Sequence, residues 1–126
     1  MGDAVRIQVC VLCGEDPGRP DAVPPGRQLH DRLAAAVVAP RDGPGIAIEP
    51  VACMAVCDRP VTLAFRGRGK WSYLVGGADP DRDIADILAA GRAVAEAPHG
   101  IPRMDDRPPF FRNGVIGRLP PAPGDP

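Results

Sequence analysis

Four cysteines in two close pairs are the residues of this chain best placed to do chemistry. Cys10 and Cys13 stand as C-x2-C and Cys53 and Cys57 as C-x3-C, with 39 residues between the pairs and no further cysteine. Two such pairs brought together by a fold make a four-thiolate site, and thiolates are soft ligands for iron–sulfur clusters and zinc. A cluster with two irons takes four thiolates, so each pair can chelate one iron. Zinc accepts four thiolates in a tetrahedral shell. Cys10-Val11-Leu12-Cys13-Gly14 alone looks like half a zinc ribbon, but the second pair has a wider gap and no glycine after it. A thiol–disulfide dithiol is a third reading, since C-x-x-C near a β-α-β pattern can be redox-active. Such a motif opens a helix, whose N-terminus lowers the thiol pKa. Here residues 14–26, with four prolines and three glycines, separate Cys13 from the next helical pattern. Buried apolar thiols with no chemistry are the plainest alternative. The spacing favours a metal site, an iron–sulfur cluster before zinc.

These pairs need elements to position them. Ala4 to Val11 alternates, with Val5, Ile7, Val9 and Val11 on one face, which predicts a strand carrying Cys10 near its end. Arg27 to Ala39 places Leu29, Leu33, Ala36 and Val37 at helical spacing. Ile46 to Val51 predicts a second strand, leading into the Cys53–Cys57 loop. Val61 to Phe65 and Trp71 to Val75 flank the turn Arg66-Gly67-Arg68-Gly69 and read as an antiparallel hairpin. Asp79-Pro80 suits the start of a second helix, with Ile84, Ile87, Leu88, Gly91 and Val94 as its apolar face. The order β-α-β then β-β-α predicts an α/β, thioredoxin-like fold, a mixed four-stranded sheet with both helices packed on it. In it the two cysteine pairs follow the C-terminal ends of adjacent parallel strands, where open α/β sheets place their ligands.

The rest of the chain sets bounds. Its 126 residues suffice for one domain with a modest core, built from aliphatic residues because only five are aromatic. The division expected is a cluster-binding domain over residues 1–97 and a tail over 98–126 with eight prolines. Within that tail Phe110 to Ile116 is apolar enough to dock on something. A net charge of −1 gives no pull towards nucleic acid or an anionic membrane. No signal-peptide pattern and no run approaching about 18 apolar residues is seen, so the expected location is the cytoplasm. There cysteines stay reduced, and paired ones point to metal or redox work.

Lesser candidates have bland explanations. Met54 and Val56 could shield the sulfurs from water or simply pack; Arg59 could face an acidic partner or simply be a surface arginine. Lys70, Trp71 and Tyr73 sit on the hairpin, where sheet packing accounts for them. His30 and His99 have no partner at ligand spacing. No Ser/His/Asp set, catalytic carboxylate pair or phosphate loop is present, so an enzyme is not expected.

The order strand, cysteine pair, helix, strand, C-x3-C, hairpin, helix resembles the thioredoxin-like [2Fe-2S] ferredoxins, including the matching subunit of respiratory complex I. A closer resemblance is to an uncharacterised bacterial family of small "predicted metal-binding" proteins often found near cobalamin-related genes. It rests on Val9 to Cys13, Ala52 to Val61, Gly69 to Leu74 and the tail Arg107 to Arg112. The resemblance puts Cys10, Cys13, Cys53 and Cys57 in the ligand positions. It implies a [2Fe-2S] electron carrier whose partners are a reductase and an acceptor enzyme, and it permits a homodimer. The first pair here is tighter than in those ferredoxins, which leave four or more residues between; a four-cysteine zinc site or metal-handling protein stays open.

Overall fold

The computed structural model describes residues 5–37, 45–56 and 58–123. Strand β1 (Val5–Cys10) leads through the cysteine turn into helix α1 (Pro25–Ala36), then β2 (Ile46–Val51), β3 (Leu63–Arg66) and β4 (Ser72–Val75). Helix α2 (Ile84–Glu96) follows, then short 3-10 turns at Pro98–Gly100 and Met104–Asp106, helix α3 (Pro109–Gly114) and β5 (Val115–Leu119). The sheet runs β2-β1-β3-β4-β5; β1 and β2 are parallel and the other pairs antiparallel.

Register decides which residues share the core. Ile7 lies opposite Phe65, Phe65 opposite Tyr73, and Tyr73 opposite Arg118. Directly paired residues project from the same face, so this row extends the side that buries Val5, Ile7, Val9, Leu63, Phe65 and Val75. Gly91 lets α2 approach it, since a Cβ there would stand 3.0 Å from Ile7 Cδ1 and 3.2 Å from Ile46 Cδ1. Helix α1 packs beside α2 with Leu29 and Leu33 fully buried, and α3 sets Phe111 against Phe65 and Tyr73 at 5.2 and 5.0 Å between ring centres. The opposite face carries Gln8, Ala64, Leu74 and Gly117, all partly or fully exposed. No helix of the described residues is long and apolar enough to cross a membrane.

The thioredoxin-like α/β order of the first six elements is present, and the described residues add a fifth strand and a third α-helix to the expected four and two. The additional pair comes from the proline-rich stretch. Val115–Leu119 contains no proline, and as an edge strand it needs only one hydrogen-bonding side, so Pro120 can end it without breaking a ladder. Helix α2 also begins a turn later than Asp79. That carboxylate closes a local turn onto the Asp81 N–H at 2.8 Å, while Asp83, nearly buried, becomes the N-cap and accepts the Asp79 N–H at 2.8 Å. Ala36, expected on the buried face of α1, is exposed, and residues 38 and 39 of the expected helix lie outside the described residues.

Candidate metal centre

The parallel pairing of β1 and β2 sets Cys10 directly opposite Val51. The ladder continues past both strand ends: Val11 N–H donates to Val51 O at 2.9 Å and Leu12 N–H to Ala52 O at 3.4 Å. The turn holding the first cysteine pair and the loop that begins with Cys53 are thereby laid side by side. Cys13 N–H donates back to Cys10 O at 3.2 Å, and Gly14 continues the turn at φ +78°, a backbone region that glycine enters without strain. Helix α1 closes this turn from the other end, with Gly26 N–H on Cys13 O at 3.0 Å. A Cβ on Gly26 would stand 2.0 Å from Cys10 O, so only glycine lets α1 come this close.

Cys10 and Cys13 are buried, and Cys53 is exposed. The Cys10 thiol points at Ala52 O at 3.9 Å. Burial pushes this thiol up to about 11, with the hydrogen-bonded Cys13 thiol adding to the effect. The negative charge that Cys13 and Cys53 can carry acts in the same direction, while a hydrogen bond from the Met54 backbone opposes it. Cys10 therefore senses both its own pair and the second cysteine loop. Cys53 Sγ accepts the Ala55 N–H at 3.3 Å, with Ala55 held at φ +63°. Backbone N–H groups aimed at sulfur stabilise the thiolate that a metal requires and help set a cluster's potential. By donor chemistry these residues suit a thiophilic metal. Cys57 lies outside the described residues, and among those described no three His, Cys, Asp or Glu side chains form a group that could hold a metal ion.

Two residues that help build the site escaped the sequence reading. Gly26 is one. The other is Thr62, fully buried, whose hydroxyl lies 3.2 Å from Arg59 O and 3.4 Å from Val56 O and so ties the second cysteine loop to β3. The signal for it was a hydroxyl inside the apolar run Val61-Thr62-Leu63, because a buried hydroxyl must find an acceptor. Met54 packs partly buried on the core, and Arg59 is exposed. Lys70 serves the fold, because its ammonium donates to Ala95 O and Ala97 O at 3.1 and 3.3 Å and so caps α2. His30 pairs with Asp31 at 2.8 Å, and His99 lends its carbonyl to the Trp71 N–H at 2.8 Å.

The family profile described as "Protein of unknown function (DUF1636)" matches residues 7–121, which include both cysteine pairs and β5. The chain belongs to this family. No curated protein sequence matches it. Among solved structures it is similar to a thioredoxin-like [2Fe-2S] ferredoxin from Aquifex aeolicus, with a TM-score of 0.57 at 17% identity. The likeness covers 96% of this chain and 98% of that one. At that identity it speaks to the fold, and the family member described here has the thioredoxin-like α/β architecture.

Proposed function

We propose that this protein is a small [2Fe-2S] electron carrier whose cluster is held by Cys10, Cys13, Cys53 and Cys57. The observation that carries the reading is the side-by-side placement of the two cysteine loops at the C-terminal ends of adjacent parallel strands, with Cys10 in electrostatic reach of Cys13 and Cys53. The solved protein of similar fold is by name a ferredoxin, which supports the same reading. When bound, the cluster supplies reversible one-electron transfer, and an all-cysteine shell favours a low potential, on the order of −400 mV as in plant-type ferredoxins. The chain's own residues do the rest. Ala55 N–H and the Met54 backbone stabilise thiolate charge, and the buried first pair excludes water. Exposed Cys53 and Leu12, the latter 47% accessible, leave one side open to a reductase and an acceptor enzyme.

A four-thiolate zinc site is the second reading, favoured by one observation. Cys10-x2-Cys13-Gly14 closes as a tight turn with glycine at positive φ, as a zinc-ribbon half-site would. Anaerobic purification with iron, sulfide and zinc analysis separates the two. A brown protein with two irons and two sulfides per chain that bleaches with dithionite is expected. A colourless protein with one zinc would end the electron-carrier reading.

A further inference from the structure

Far from the cysteines, across β3, two arginines converge on one buried hydroxyl. Tyr73 is only 2% accessible, and its Oη accepts hydrogen bonds from Arg107 Nη2 at 3.0 Å and Arg118 Nη1 at 3.3 Å. Both guanidiniums are held in place by aromatic rings: Arg107 lies 5.3 Å from the Tyr73 ring centre and 5.5 Å from that of Phe111, and Arg118 lies 5.1 Å from that of Trp71. Arg107 Nε is fixed further by Pro102 O at 3.1 Å.

Stacking on rings explains why each arginine is ordered. It does not explain why both reach the same oxygen without a counter-charge. Among the described residues the carboxylate–arginine ion pairs involve Arg6, Arg27, Arg32 and Arg82, and no carboxylate pairs with Arg107 or Arg118. With two N–H groups arriving at Oη, the phenol's own hydrogen must point elsewhere, and no acceptor for it lies among the described residues. Arg107 Nη1 and Arg118 Nε and Nη2 are likewise unengaged among them. Two like charges on one oxygen repel. Tyr73 is buried beneath the two guanidinium side chains, while Arg118 is exposed and Arg107 and Trp71 are partly so.

We propose that Tyr73, Arg107 and Arg118 form a binding site for a small oxyanion, a phosphate or carboxylate group. The hydroxyl and both guanidiniums donate to it, and planar guanidinium forks match the oxygens of either group. The pre-ordered rings reduce the entropy lost on binding. The site lies at the β4–β5 edge and does not depend on whether the cysteines hold a metal.

Trp71 is the only tryptophan, so its indole N–H gives a single identifiable signal in a ¹H–¹⁵N spectrum of the full-length protein. Inorganic phosphate and, separately, acetate are titrated at constant ionic strength against chloride. A saturable shift of that signal and of the Tyr73 and Arg118 amides is expected. The apparent Kd should rise about tenfold in Arg118→Gln and several-fold in Tyr73→Phe, where only a surface group or one oxygen is lost. Saturation by phosphate identifies a phosphate group as the ligand; saturation by acetate alone identifies a carboxylate. Linear, unsaturated shifts with both anions, or unchanged binding in Arg118→Gln, would overturn the site and leave the arginines as packing.

Discussion

Cys53 and Cys10 occupy opposite surroundings, and each makes its own prediction. Cys53 is exposed and already accepts a backbone N–H, so its replacement by serine should leave the fold intact and remove a ligand. Under the proposed site, Cys53→Ser purified anaerobically should lose most of its iron or zinc, read by metal analysis; full metal content would sink the four-ligand scheme. Cys10 is governed by burial. Its folded-state value of about 11 lies above the ordinary 9.0, so between those values the folded chain holds a proton that the unfolded chain has released. Stability therefore falls as pH rises through that window, and it is fully present below about 9. Denaturant melts of metal-free protein should show this decline, and Cys10→Ala should flatten it.

Elements hold these side chains through close backbone contact. Helix α1 touches the cysteine turn only because position 26 has no side chain, since a Cβ there would overlap Cys10 O. Gly26→Ala should cost at least about 2 kcal/mol by overpacking, and metal content should drop with it. A variant with wild-type melting and metal content would show that α1 is free to shift away. At the other end of the fold, Lys70 ties the hairpin to the last turn of α2 through two carbonyls. Lys70→Met keeps the stem and removes the ammonium. It should destabilise by about 1–2 kcal/mol in chemical denaturation, without changing metal content. Loss of metal in this variant would mean that the hairpin end and the cysteine loops are coupled.

Across the whole molecule, the proline-rich end completes the core. Phe111 is fully buried against Phe65, Tyr73 and Phe110, and β5 covers the edge of β4. Phe111→Ala should therefore cost about 3–5 kcal/mol, read as a lower denaturation midpoint. A loss below about 1 kcal/mol would mean that α3 contributes little to the sheet's stability. Substitution here leaves the cysteine ladder untouched, so metal stoichiometry of the folded fraction should not change.

Much of this was legible in the chain itself. Alternation in Val5, Ile7 and Val9 marks β1, and four-residue spacing of Leu29 and Leu33 marks α1, because both patterns follow from local backbone geometry. Cys10 at the end of β1 and Cys53 just beyond β2 follow from the β-α-β order. Most of what the sequence could not reveal depends on contacts between distant segments. Proline density hid β5, whose pairing is decided by the free edge of β4. Asp79 looked like a helix cap until its side chain closed its own turn. Gly26 and the pair Arg107 and Arg118 have no local pattern at all, and Thr62 shows only a hydroxyl inside an apolar run. The roles of Gly26, Arg107 and Arg118 exist only where the fold brings a missing Cβ or two charges to a partner far along the chain or across the sheet. That of Thr62 exists only where the preceding loop turns its carbonyls back onto the hydroxyl.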